Sequence, residues 1–460
     1  MVKIFKRNPE EIKKDVKDGN VKVAVVGFGY VGLCIGLAMA EKGIPVVGID
    51  TNSETVEKVN RGESPIHEPE VPELLKRLHG KSIKATLDYS VIKDSDVILV
   101  TVGTPLKEDY TPFTEHVVQT SKGIGKLLQK GQMVILKSTV TPDTTEKVVL
   151  PILEKESGLK AGKDFGLAFC PERLAEGRAM KEIKSLPIIV GGIDAESSDC
   201  SAAFWNSLGL ETIIVSNPKT AEMSKLADNL WIDLNIALAN ELAMLCEKVG
   251  VDVLEVIRSA NTLPKGTSKV NILIPGAGVG GSCLVKDPWF VHHLGKKYNL
   301  DLKIPVVSRN VNDSMPKHML DLIVEGMKEI KKDIKNSNVT VFGFSFKGST
   351  GDIRSTPAKK LIDLLKENGA KVKVFDPWVD TDEVKKIIDV DVVKSLEDSV
   401  KDADCIAVAT DHPEFKQIDV GQLKSITKKN CVIVDGRHMF DPKKIISNGF
   451  VYRGVGRGNV

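Results

Sequence analysis

One cysteine has the surroundings of a covalent nucleophile. Cys283 ends a glycine-rich segment that begins at Gly278, and Lys286 and Asp287 follow it. We expect this turn to lead into a helix, whose amide donors and dipole would favour the thiolate. A lone cysteine is usually a small buried apolar residue, as we expect for those at 34, 170, 200, 246, 405 and 431. For Cys283 the glycine turn and the charged neighbours favour reactivity instead.

Two further pairs of polar residues have a four-residue spacing. Lys225 and Asn229 would project from one face of a helix and could stabilise an oxyanion, although the pair read alone fits a solvated helix edge better. Glu172 and Glu176 follow a predicted strand and would suit acid–base work or water activation once helical. Surface glutamate pairs are common, so this spacing alone does not distinguish the two uses.

A dinucleotide site is predicted near the amino terminus. Gly27, Gly29 and Gly32 follow a β-branched run and open a segment rich in small and apolar residues. In this context the glycines permit a tight turn, the approach of a pyrophosphate and close helix packing, and the helix N-terminus offers amide donors. Asp50 ends the next predicted strand, where a carboxylate would bind both ribose hydroxyls and repel a 2′-phosphate. The motif favours NAD over NADP, with FAD as a minor alternative.

Two threonines follow later strands of the same region. Thr104 lies in the segment 101–105 and Thr139 in the segment 137–139, each at the end of a predicted strand. Ligands bind at this edge in such sheets. Plain turn or capping use is the alternative for both, and without the wider context it would be the better explanation.

The elements that must position these residues form two α/β regions separated by helices. Residues 21–150 alternate short β-branched runs with helix-like segments, which is typical of βαβ units. Apolar residues then recur at three- and four-residue steps over 218–260 with no strand-like interruption, which predicts a long helical middle, and a second helical region is predicted over 288–334. Strands are predicted at 21–26, 45–50, 97–101, 133–138, 165–170, 188–191, 339–344, 371–375, 404–409 and 431–434.

The predicted fold class is α/β, with an N-terminal Rossmann-type domain, a central long-helix region and a C-terminal Rossmann-like α/β domain. The boundaries are placed at 21–215, 216–334 and 335–460 for these three parts. Residues 1–20 are predicted to be an N-terminal extension, which is charged and helix-permissive and has no predicted function.

Composition excludes several classes of function. The 64 basic and 62 acidic residues are interspersed and nearly cancel, so nucleic acid is not an expected partner. The amino terminus lacks the apolar core of a signal peptide, and no stretch is apolar for long enough to span a bilayer, which predicts a cytoplasmic protein with no membrane partner. The seven cysteines include no CxxC pair and no histidine at metal-ligand spacing, so no metal site is expected.

Together these segments resemble the UDP-glucose and GDP-mannose dehydrogenase family over nearly the whole chain, from Val21 to Gly458. The motifs are GFGYVG at 27–32, VGTP at 102–105, KSTV at 137–140, PERLAEG at 171–177, SKLADN at 224–229, GVGGSCLVKD at 278–287, FSFKGSTGDIR at 344–354 and DGR at 435–437. The resemblance implies that the first domain binds NAD, that the central helix mediates dimerisation and that the domain at 335–460 holds the UDP of a UDP-sugar. A homodimer or a dimer of dimers is expected.

The resemblance also implies a four-electron oxidation. The primary alcohol of the sugar loses a hydride to give an aldehyde, Cys283 captures it as a thiohemiacetal, a second NAD takes another hydride, and water hydrolyses the thioester to a uronate. Matched positions imply that Lys225 and Asn229 stabilise the oxyanion and that Asp287 and a water near Thr139 handle protons. Glu172 would assist the hydrolysis, with Glu176 as a weaker candidate.

Further matches imply two sets of binding residues. The cofactor-binding set is Gly27, Gly29, Tyr30, Val31, Gly32, Asp50, Thr104, Thr139 and Arg354. The substrate-binding set is Glu172, Arg173, Leu174, Lys225, Asn229, Gly280, Lys347 and Arg437. The charges of Lys347, Arg354 and Arg437 suit a pyrophosphate.

The substrate and the class of protein leave alternatives. Residues 270–281 and 287–290 resemble the branch that acts on UDP-N-acetylhexosamines, whereas 282–287 has the sequence usual in UDP-glucose enzymes. UDP-N-acetylmannosamine ranks first, UDP-N-acetylglucosamine second and UDP-glucose third. A two-electron hydroxyacid or phosphogluconate-type dehydrogenase would need neither Cys283 nor a second α/β domain. A non-catalytic nucleotide-sugar and NAD sensor predicts loss of the nucleophile or its charged partners, which this chain retains.

Overall fold

The computed structural model describes residues 2–458, which form two compact units. The first contains the chain up to Asp228 together with Trp289–Leu300, and the second contains Asn229–Pro288 and the chain from Asp301 onward. Each unit is built on one large β-sheet. The predicted α/β class is confirmed, and the three-part boundaries stay a prediction.

An eight-stranded sheet organises the first unit. Its strands are β1 (Val23–Val26), β2 (Val46–Ile49), β3 (Ile83–Thr86), β4 (Val97–Val100), β5 (Met133–Leu136), β6 (Gly166–Phe169), β7 (Ile188–Gly192) and β8 (Thr212–Ile214). Their spatial order is β3-β2-β1-β4-β5-β6-β7-β8, and neighbouring strands are parallel except β6 and β7. The order reverses between β1 and β4, which is where ligands bind in doubly wound folds.

The second unit contains a short hairpin and a six-stranded parallel sheet. The hairpin strands are β9 (Pro264–Lys265) and β10 (Ser268–Lys269). The sheet consists of β11 (Asn338–Phe342), β12 (Lys371–Phe375), β13 (Asp391–Val393), β14 (Cys405–Val408), β15 (Val432–Asp435) and β16 (Val451–Gly454). Its order, β13-β12-β11-β14-β15-β16, has the same reversal, between β11 and β14. The central strands β1, β4, β5, β14 and β15 are fully buried, as parallel strands covered on both faces must be.

Helices cover both sheets and connect them. They are α1 (Pro9–Lys17), α2 (Tyr30–Glu41), α3 (Ser53–Arg61), α4 (Val71–Leu78), α5 (Glu115–Gly125), α6 (Leu150–Ser157), α7 (Ala179–Glu182), α8 (Ala195–Ser207), α9 (Pro218–Val249), α10 (Val253–Ala260), α11 (Asp287–Lys297), α12 (Ile304–Glu329), α13 (Pro357–Glu367), α14 (Thr381–Ile387), α15 (Leu396–Val400), α16 (Val420–Ile426) and α17 (Pro442–Ser447). Within residues 2–458, none of these helices has the length and apolar content that a membrane span requires.

The predicted long helical middle is confirmed, with α9 as its main helix, and the region 218–260 divides into two helices. Helix α9 ends at Val249, and Gly250 follows with a φ of +76°, a left-handed conformation that ends an α-helix. Asp252 then caps α10 by accepting the amide of Leu254 at 2.8 Å. The helical region predicted over 288–334 likewise divides into α11 and α12. The short strands β3, β8, β13 and β16 have no counterpart in the prediction.

The N-terminal segment is an integral part of the first unit. Helix α1 packs on α8. The buried apolar residues of the segment are Ile4, Phe5, Ile12 and Val16. The amide of Lys3 donates to Asp96 Oδ1 at 2.8 Å, and the amide of Phe5 donates to the carbonyl oxygen of Gly131 at 2.9 Å. Since Asp96 and Gly131 precede β4 and β5, the segment covers the amino-terminal edge of the sheet, opposite to the edge where ligands bind.

Candidate active site

The turn after β1 has the geometry of a dinucleotide-binding loop. Gly27 has a φ of +90°, and a Cβ there would lie 2.8 Å from the amide nitrogen of Val102. A Cβ on Gly32 would lie 2.2 Å from the carbonyl oxygen of Gly27, so α2 packs this closely only because the residue is glycine. A Cβ on Gly29, in contrast, would meet no protein atom within 4 Å. The open face of the turn is therefore at Gly29, where a pyrophosphate needs access.

Amide donors and a carboxylate lie beside this open face. The amide of Leu33 donates to the carbonyl oxygen of Gly29 at 2.9 Å, so the amides of Tyr30, Val31 and Gly32 form the free N-terminus of α2, which favours an anion. Asp50 accepts the amide of Phe28 at 2.8 Å and stays half-buried. Its carboxylate is thus fixed next to the turn and remains partly accessible to ribose hydroxyls. These groups fit NAD.

Glu68 holds the tyrosine of this turn. The Tyr30 hydroxyl donates to the buried carboxylate of Glu68, and burial together with this bond raises the pKa of Tyr30 far above its ordinary value. The hydroxyl proton of Tyr30 is therefore engaged within the protein. Glu68 also accepts the amides of Gly177 and Ala179 at 2.7 and 2.8 Å. Sequence analysis missed Glu68 because these partners lie 109 and 111 residues away along the chain.

Two threonines connect the loops at the carboxyl edge of the first sheet. Thr101 Oγ1 donates to the carbonyl oxygen of Gly27 at 2.6 Å, and Thr104 Oγ1 donates to the carbonyl oxygen of Thr139, also at 2.6 Å. Thr104 is buried, whereas Thr139 is half-buried. The structure thus makes Thr104 a connector between the loops after β4 and β5, and it leaves Thr139 partly accessible.

The segment 171–178 differs from its prediction. It was expected to be helical and to align Glu172 with Glu176, but it forms a loop, and α7 begins only after it. Glu172 accepts the amides of the next two residues at 2.7 and 3.1 Å, which closes a local turn. Its other oxygen lies 3.3 Å from Nζ of Lys137, a side chain that is only 1% exposed. The helical acid pair is wrong, and a buried ion pair with Lys137 takes its place.

Helix α9 carries the predicted oxyanion residues on a buried face. Lys225 is 7% exposed and Asn229 is 5% exposed, so the alternative of a solvated helix edge is wrong. Asp233, one turn further along, and Asn240 are fully buried. Buried polar side chains destabilise a fold unless they are hydrogen-bonded, so this face needs partners.

Cys283 lies in an exposed turn immediately before α11. It is exposed, whereas the other six cysteines are buried as predicted. Its carbonyl oxygen accepts the amides of Lys286 and Asp287 at 3.0 and 2.9 Å, which closes the turn. Ser282 Oγ lies 3.7 Å from the Cys283 sulfur. The chain thus presents this thiol on a short, hydrogen-bonded turn that leads into a helix.

Asp287 anchors the turn from inside. Its carboxylate is fully buried and accepts Nδ2 of Asn229 at 2.5 Å and Nζ of Lys286 at 2.5 Å. Both carboxylate oxygens of Asp287 are therefore engaged by these two side chains, and its proton-handling role stays a prediction. The carboxylate fixes the orientation of the Asn229 amide, and this bond ties α9 to the turn that carries Cys283.

A buried polar network holds the start of the same segment. Asp233 Oδ1 accepts Nη1 of Arg309 at 2.7 Å and Nδ2 of Asn312 at 2.8 Å. Asn312 in turn accepts Nδ2 of Asn240 at 2.9 Å, and Asn240 accepts the amide of Gly276 at 2.9 Å. Because Gly276 lies two residues before the glycine-rich segment that runs from Gly278 to Cys283, side chains of α9 and α12 hold the chain at both ends of this segment. Sequence analysis missed this network, although Asp233 continues the four-residue spacing of Lys225 and Asn229.

The glycines of this segment allow contact with the loop after β11. A Cβ on Gly280 would lie 2.6 Å from Cβ of Phe346, and a Cβ on Gly281 would lie 2.8 Å from the Phe346 ring. The amide of Gly281 donates to the carbonyl oxygen of Arg354 at 3.0 Å. The segment that carries the thiol therefore rests directly on the carboxyl edge of the second sheet.

Predicted cations lie at that edge. Lys347 is half-buried in the loop after β11, and Arg437, in the loop after β15, donates to Asp411 at 2.8 Å. Burial alone would raise the pKa of Asp411, but the charge and hydrogen bond of Arg437 and the amide of Gly348 lower it to about 2. Arg354 donates to Asp352 at 2.9 Å within its own loop. Lys347 and Arg437 thus lie on two loops of one unit, and Asp411 in the loop after β14 contacts both loops.

Family models match consecutive parts of the chain. The NAD binding domain of the UDP-glucose/GDP-mannose dehydrogenase family matches residues 21–208, its central domain matches 219–314, and its UDP binding domain matches 340–442. These matches cover both glycine turns, the α9 residues, Cys283 and both cations.

Similar proteins extend over the whole chain. A UDP-N-acetyl-D-mannosamine dehydrogenase of Pyrococcus horikoshii is 36% identical over 442 residues, covering 96% of this chain and 100% of its own length. A solved structure of the UDP-D-ManNAc dehydrogenase from Pyrococcus horikoshii superposes with a TM-score of 0.86 at 34% identity and the same coverage. An NDP-N-acetyl-D-galactosaminuronic acid dehydrogenase from Methanosarcina mazei superposes with a TM-score of 0.80 at 34% identity, covering 98% of both chains.

Proposed function

Since this chain belongs to the UDP-glucose/GDP-mannose dehydrogenase family, we propose that it oxidises the primary alcohol of UDP-N-acetylmannosamine to a carboxylate. It is an NAD-dependent oxidoreductase that acts on a UDP-sugar. The choice of sugar is supported by the relatives described above, which are dehydrogenases of UDP-N-acetyl-D-mannosamine or of an NDP-N-acetyl-D-galactosaminuronic acid. The observation that carries the catalytic proposal is the exposed Cys283 thiol, held on a turn that Asp287 anchors.

The cofactor is proposed to bind at the first glycine turn. Gly29 leaves room for the pyrophosphate, the amides at the start of α2 donate to it, and Asp50 accepts the ribose hydroxyls. Bound NAD supplies the hydride acceptor for both stages of the oxidation. Thr104, Thr139 and Arg354 are the further proposed cofactor contacts.

Cys283 is proposed to retain the substrate between the two stages. Its thiolate attacks the carbonyl carbon of the aldehyde, a C–S bond forms, and the carbonyl electron pair moves to oxygen. After this carbon has lost a hydride the species is a thioester. Attack by water then breaks the C–S bond and returns the thiol, and the sugar leaves as a carboxylate.

The remaining roles follow the chemistry of each side chain. Lys225 and Asn229 are proposed to stabilise the oxyanion, and Asp287 with a water near Thr139 is proposed to handle protons. Glu172, held by Lys137, is proposed to assist the hydrolysis of the thioester. The proposed substrate contacts are Glu172, Arg173, Leu174, Lys225, Asn229, Gly280, Lys347 and Arg437.

A homodimer, or a dimer of dimers, is proposed through α9. Trp231, Leu238 and Leu245 recur every seven residues and are 45–59% exposed, and Val249 extends the same apolar stripe. A continuous apolar stripe on a long helix is typical of a helix that packs against a partner. Light scattering of the unchanged protein and of L238E/L245E would test this, because a monomeric unchanged protein would contradict it. The cytoplasmic location stays a prediction of the sequence.

The experiment that tests the function measures NADH release from purified protein. UDP-N-acetylmannosamine, UDP-N-acetylglucosamine and UDP-glucose are supplied separately with NAD, and NADH is counted per sugar consumed. Two NADH per molecule of UDP-N-acetylmannosamine, with slower turnover of the others, is the expected result. Preference for another of these sugars would change the proposed substrate but not the proposed reaction. Absence of NADH with every sugar, from protein that binds both NAD and UDP, would favour the non-catalytic sensor.

A further inference from the structure

Asp376 in the second sheet occupies the position that Asp50 has in the first, but Asp376 is buried from solvent. Asp50 follows β2, and Asp376 follows β12, each next to the strand that ends in a glycine turn. Asp376 Oδ2 accepts the amides of Phe344 and Ser345 at 2.7 and 3.0 Å, as Asp50 accepts the amide of Phe28. Asp50 is half-buried, whereas Asp376 is fully buried. Asp376 is therefore closed to a ribose and must serve the protein itself.

His412 is the side chain that closes it. This ring is fully buried, and its Nε2 lies 3.1 Å from Asp376 Oδ2 and 3.0 Å from Ser345 Oγ. Its Nδ1 accepts the amide of Ser349 at 3.2 Å. A ring nitrogen that accepts an amide proton carries none of its own, so the ring proton sits on Nε2 and points to Asp376. His412 thereby joins the end of β12 to both sides of the turn at 345–349.

Five backbone amides of this turn donate to acceptors within the protein. Asp376, the carbonyl oxygen of Asp352, Asp411 and His412 are the acceptors. The donors are the amides of Phe344, Ser345, Phe346, Gly348 and Ser349. Because these five amides are engaged, binding of a diphosphate at this turn depends mainly on side-chain charge, which Lys347 supplies at its centre. The carbonyl oxygen of Lys347 accepts Ser345 Oγ at 3.0 Å, so its backbone is tied to the same cluster.

We infer that His412 is a positioning residue for nucleotide-sugar binding: it holds the 345–349 turn so that Lys347 is directed at the diphosphate. The inference rests on the proposed function, in which Lys347 contacts the UDP-sugar. His412 touches neither substrate nor reacting atoms, and it acts through the backbone of the turn.

The test compares three substitutions at this position. His412→Phe keeps a planar ring but removes both polar contacts, His412→Asn keeps an acceptor near Nδ1, and His412→Gln keeps a donor near Nε2. Dissociation constants for UDP and for NAD are measured by calorimetry on the full-length protein. We expect His412→Phe to weaken UDP binding by at least about tenfold, the Asn and Gln variants to weaken it less, and NAD binding to stay within about twofold. The KM for the UDP-sugar should rise with little change in kcat.

A double-mutant cycle with Lys347→Met separates positioning from general stability. If His412 acts through Lys347, His412→Phe weakens UDP binding less than about twofold in the Lys347→Met background. The same tenfold loss in both backgrounds would overturn the inference, as would equal losses of UDP and NAD binding. If His412→Phe does not fold, the cycle is run with His412→Gln. An unchanged protein that does not bind UDP would refute the proposed function itself, whereas normal UDP binding by every His412 variant would refute this inference alone.

Discussion

Each of the two sheets has a glycine turn after its first strand, and the two turns differ in the donors that they leave available. Gly27 and Gly343 follow the first strand of their sheets with φ values of +90° and +88°, and a Cβ on either would collide with the neighbouring loop. After Gly27, helix α2 begins almost at once and presents its amides. After Gly343 the next helix, α13, begins only at Pro357, and the intervening loop directs its amides to protein acceptors. The same strand order can therefore offer an anion either backbone donors or side-chain charge.

Replacing Cys283 should stop the reaction without affecting ligand binding at either glycine turn. This substitution has the largest expected effect on activity. Cys283→Ala should lower uronate formation by more than about 10⁴-fold, since no other exposed thiol replaces it among the described residues. Product is measured by mass spectrometry, and NAD and UDP binding by calorimetry. Both ligands should still bind, because neither turn contains Cys283. Uronate formation at the unchanged rate would refute the covalent mechanism.

A side chain at Gly29, on the open face of the first turn, should weaken the binding of NAD but not of UDP. Gly29 has a φ of −77° and free space around it, so Gly29→Ala fits the folded protein without strain. Because that space is where the pyrophosphate is proposed to lie, NAD should bind about 50-fold more weakly, with UDP binding and the melting temperature unchanged. Gly32→Ala is the contrasting variant, since its Cβ would collide with Gly27 and lower the melting temperature. Normal NAD affinity in Gly29→Ala would place the cofactor elsewhere.

Removing the positive charge of Lys347 from the second turn should weaken the binding of UDP but not of NAD. Lys347→Met is expected to weaken UDP binding by about 10- to 30-fold, the value of one charged hydrogen bond, and to leave NAD binding unchanged. Added salt should weaken UDP binding more than NAD binding in the unchanged protein, and this difference should shrink in the variant. Lys416→Met, an exposed lysine of the same unit, serves as the control. Equal salt dependence for both ligands would remove the distinction between the two turns.

The two units should also differ in their response to pH, which is the smallest expected effect. Burial raises the pKa of Glu222, in the first unit, from 4.5 to about 7, despite its bonds with Thr145. The folded chain then keeps a proton that the unfolded chain releases above its own pKa, so stability falls as the pH rises toward 7. The loss attributable to Glu222 should be about 1.5 kcal/mol between about pH 5.5 and pH 7.

Denaturation curves at these pH values would measure this loss. The slope should disappear in Glu222→Gln and persist in Glu211→Gln, an exposed control in the same unit. Asp411, in the second unit, has the opposite sign, because its lowered pKa stabilises the fold at neutral pH and this stability is lost as the pH falls toward 2. A slope that Glu222→Gln leaves unchanged would assign the effect to other groups.

Local sequence patterns predicted the parts whose contacts are close in the chain. The strand, glycine turn and helix around Gly27 follow from neighbouring residues, and Asp50 lies within the same βαβ unit. The buried face of α9 was only partly predicted, since the four-residue spacing placed Lys225 and Asn229 together but did not show what would cover them. The short strands were missed because three or four residues at a sheet edge carry too little apolar pattern.

Long-range contacts account for the errors. Residues 171–178 were expected to form a helix, but Glu68 and Lys137 fix them as a loop from distant positions. The partners of His412 lie 36, 63 and 67 residues away, and Asp233 lies 76 residues from Arg309. Contacts between residues so far apart in the chain produce no periodic pattern in the sequence. The one available signal was positional, because Asp376 directly follows a predicted strand and Asp50 ends one.

The division of the chain limits how such an enzyme can be rearranged during evolution. The chain passes from one unit to the other after Asp228, Pro288 and Leu300, and the first of these points lies inside α9. No single cut therefore separates the two units, and a gene truncated at any of these points would encode an incomplete unit. Exchange of a complete unit between two related genes would need junctions at all three points instead of one.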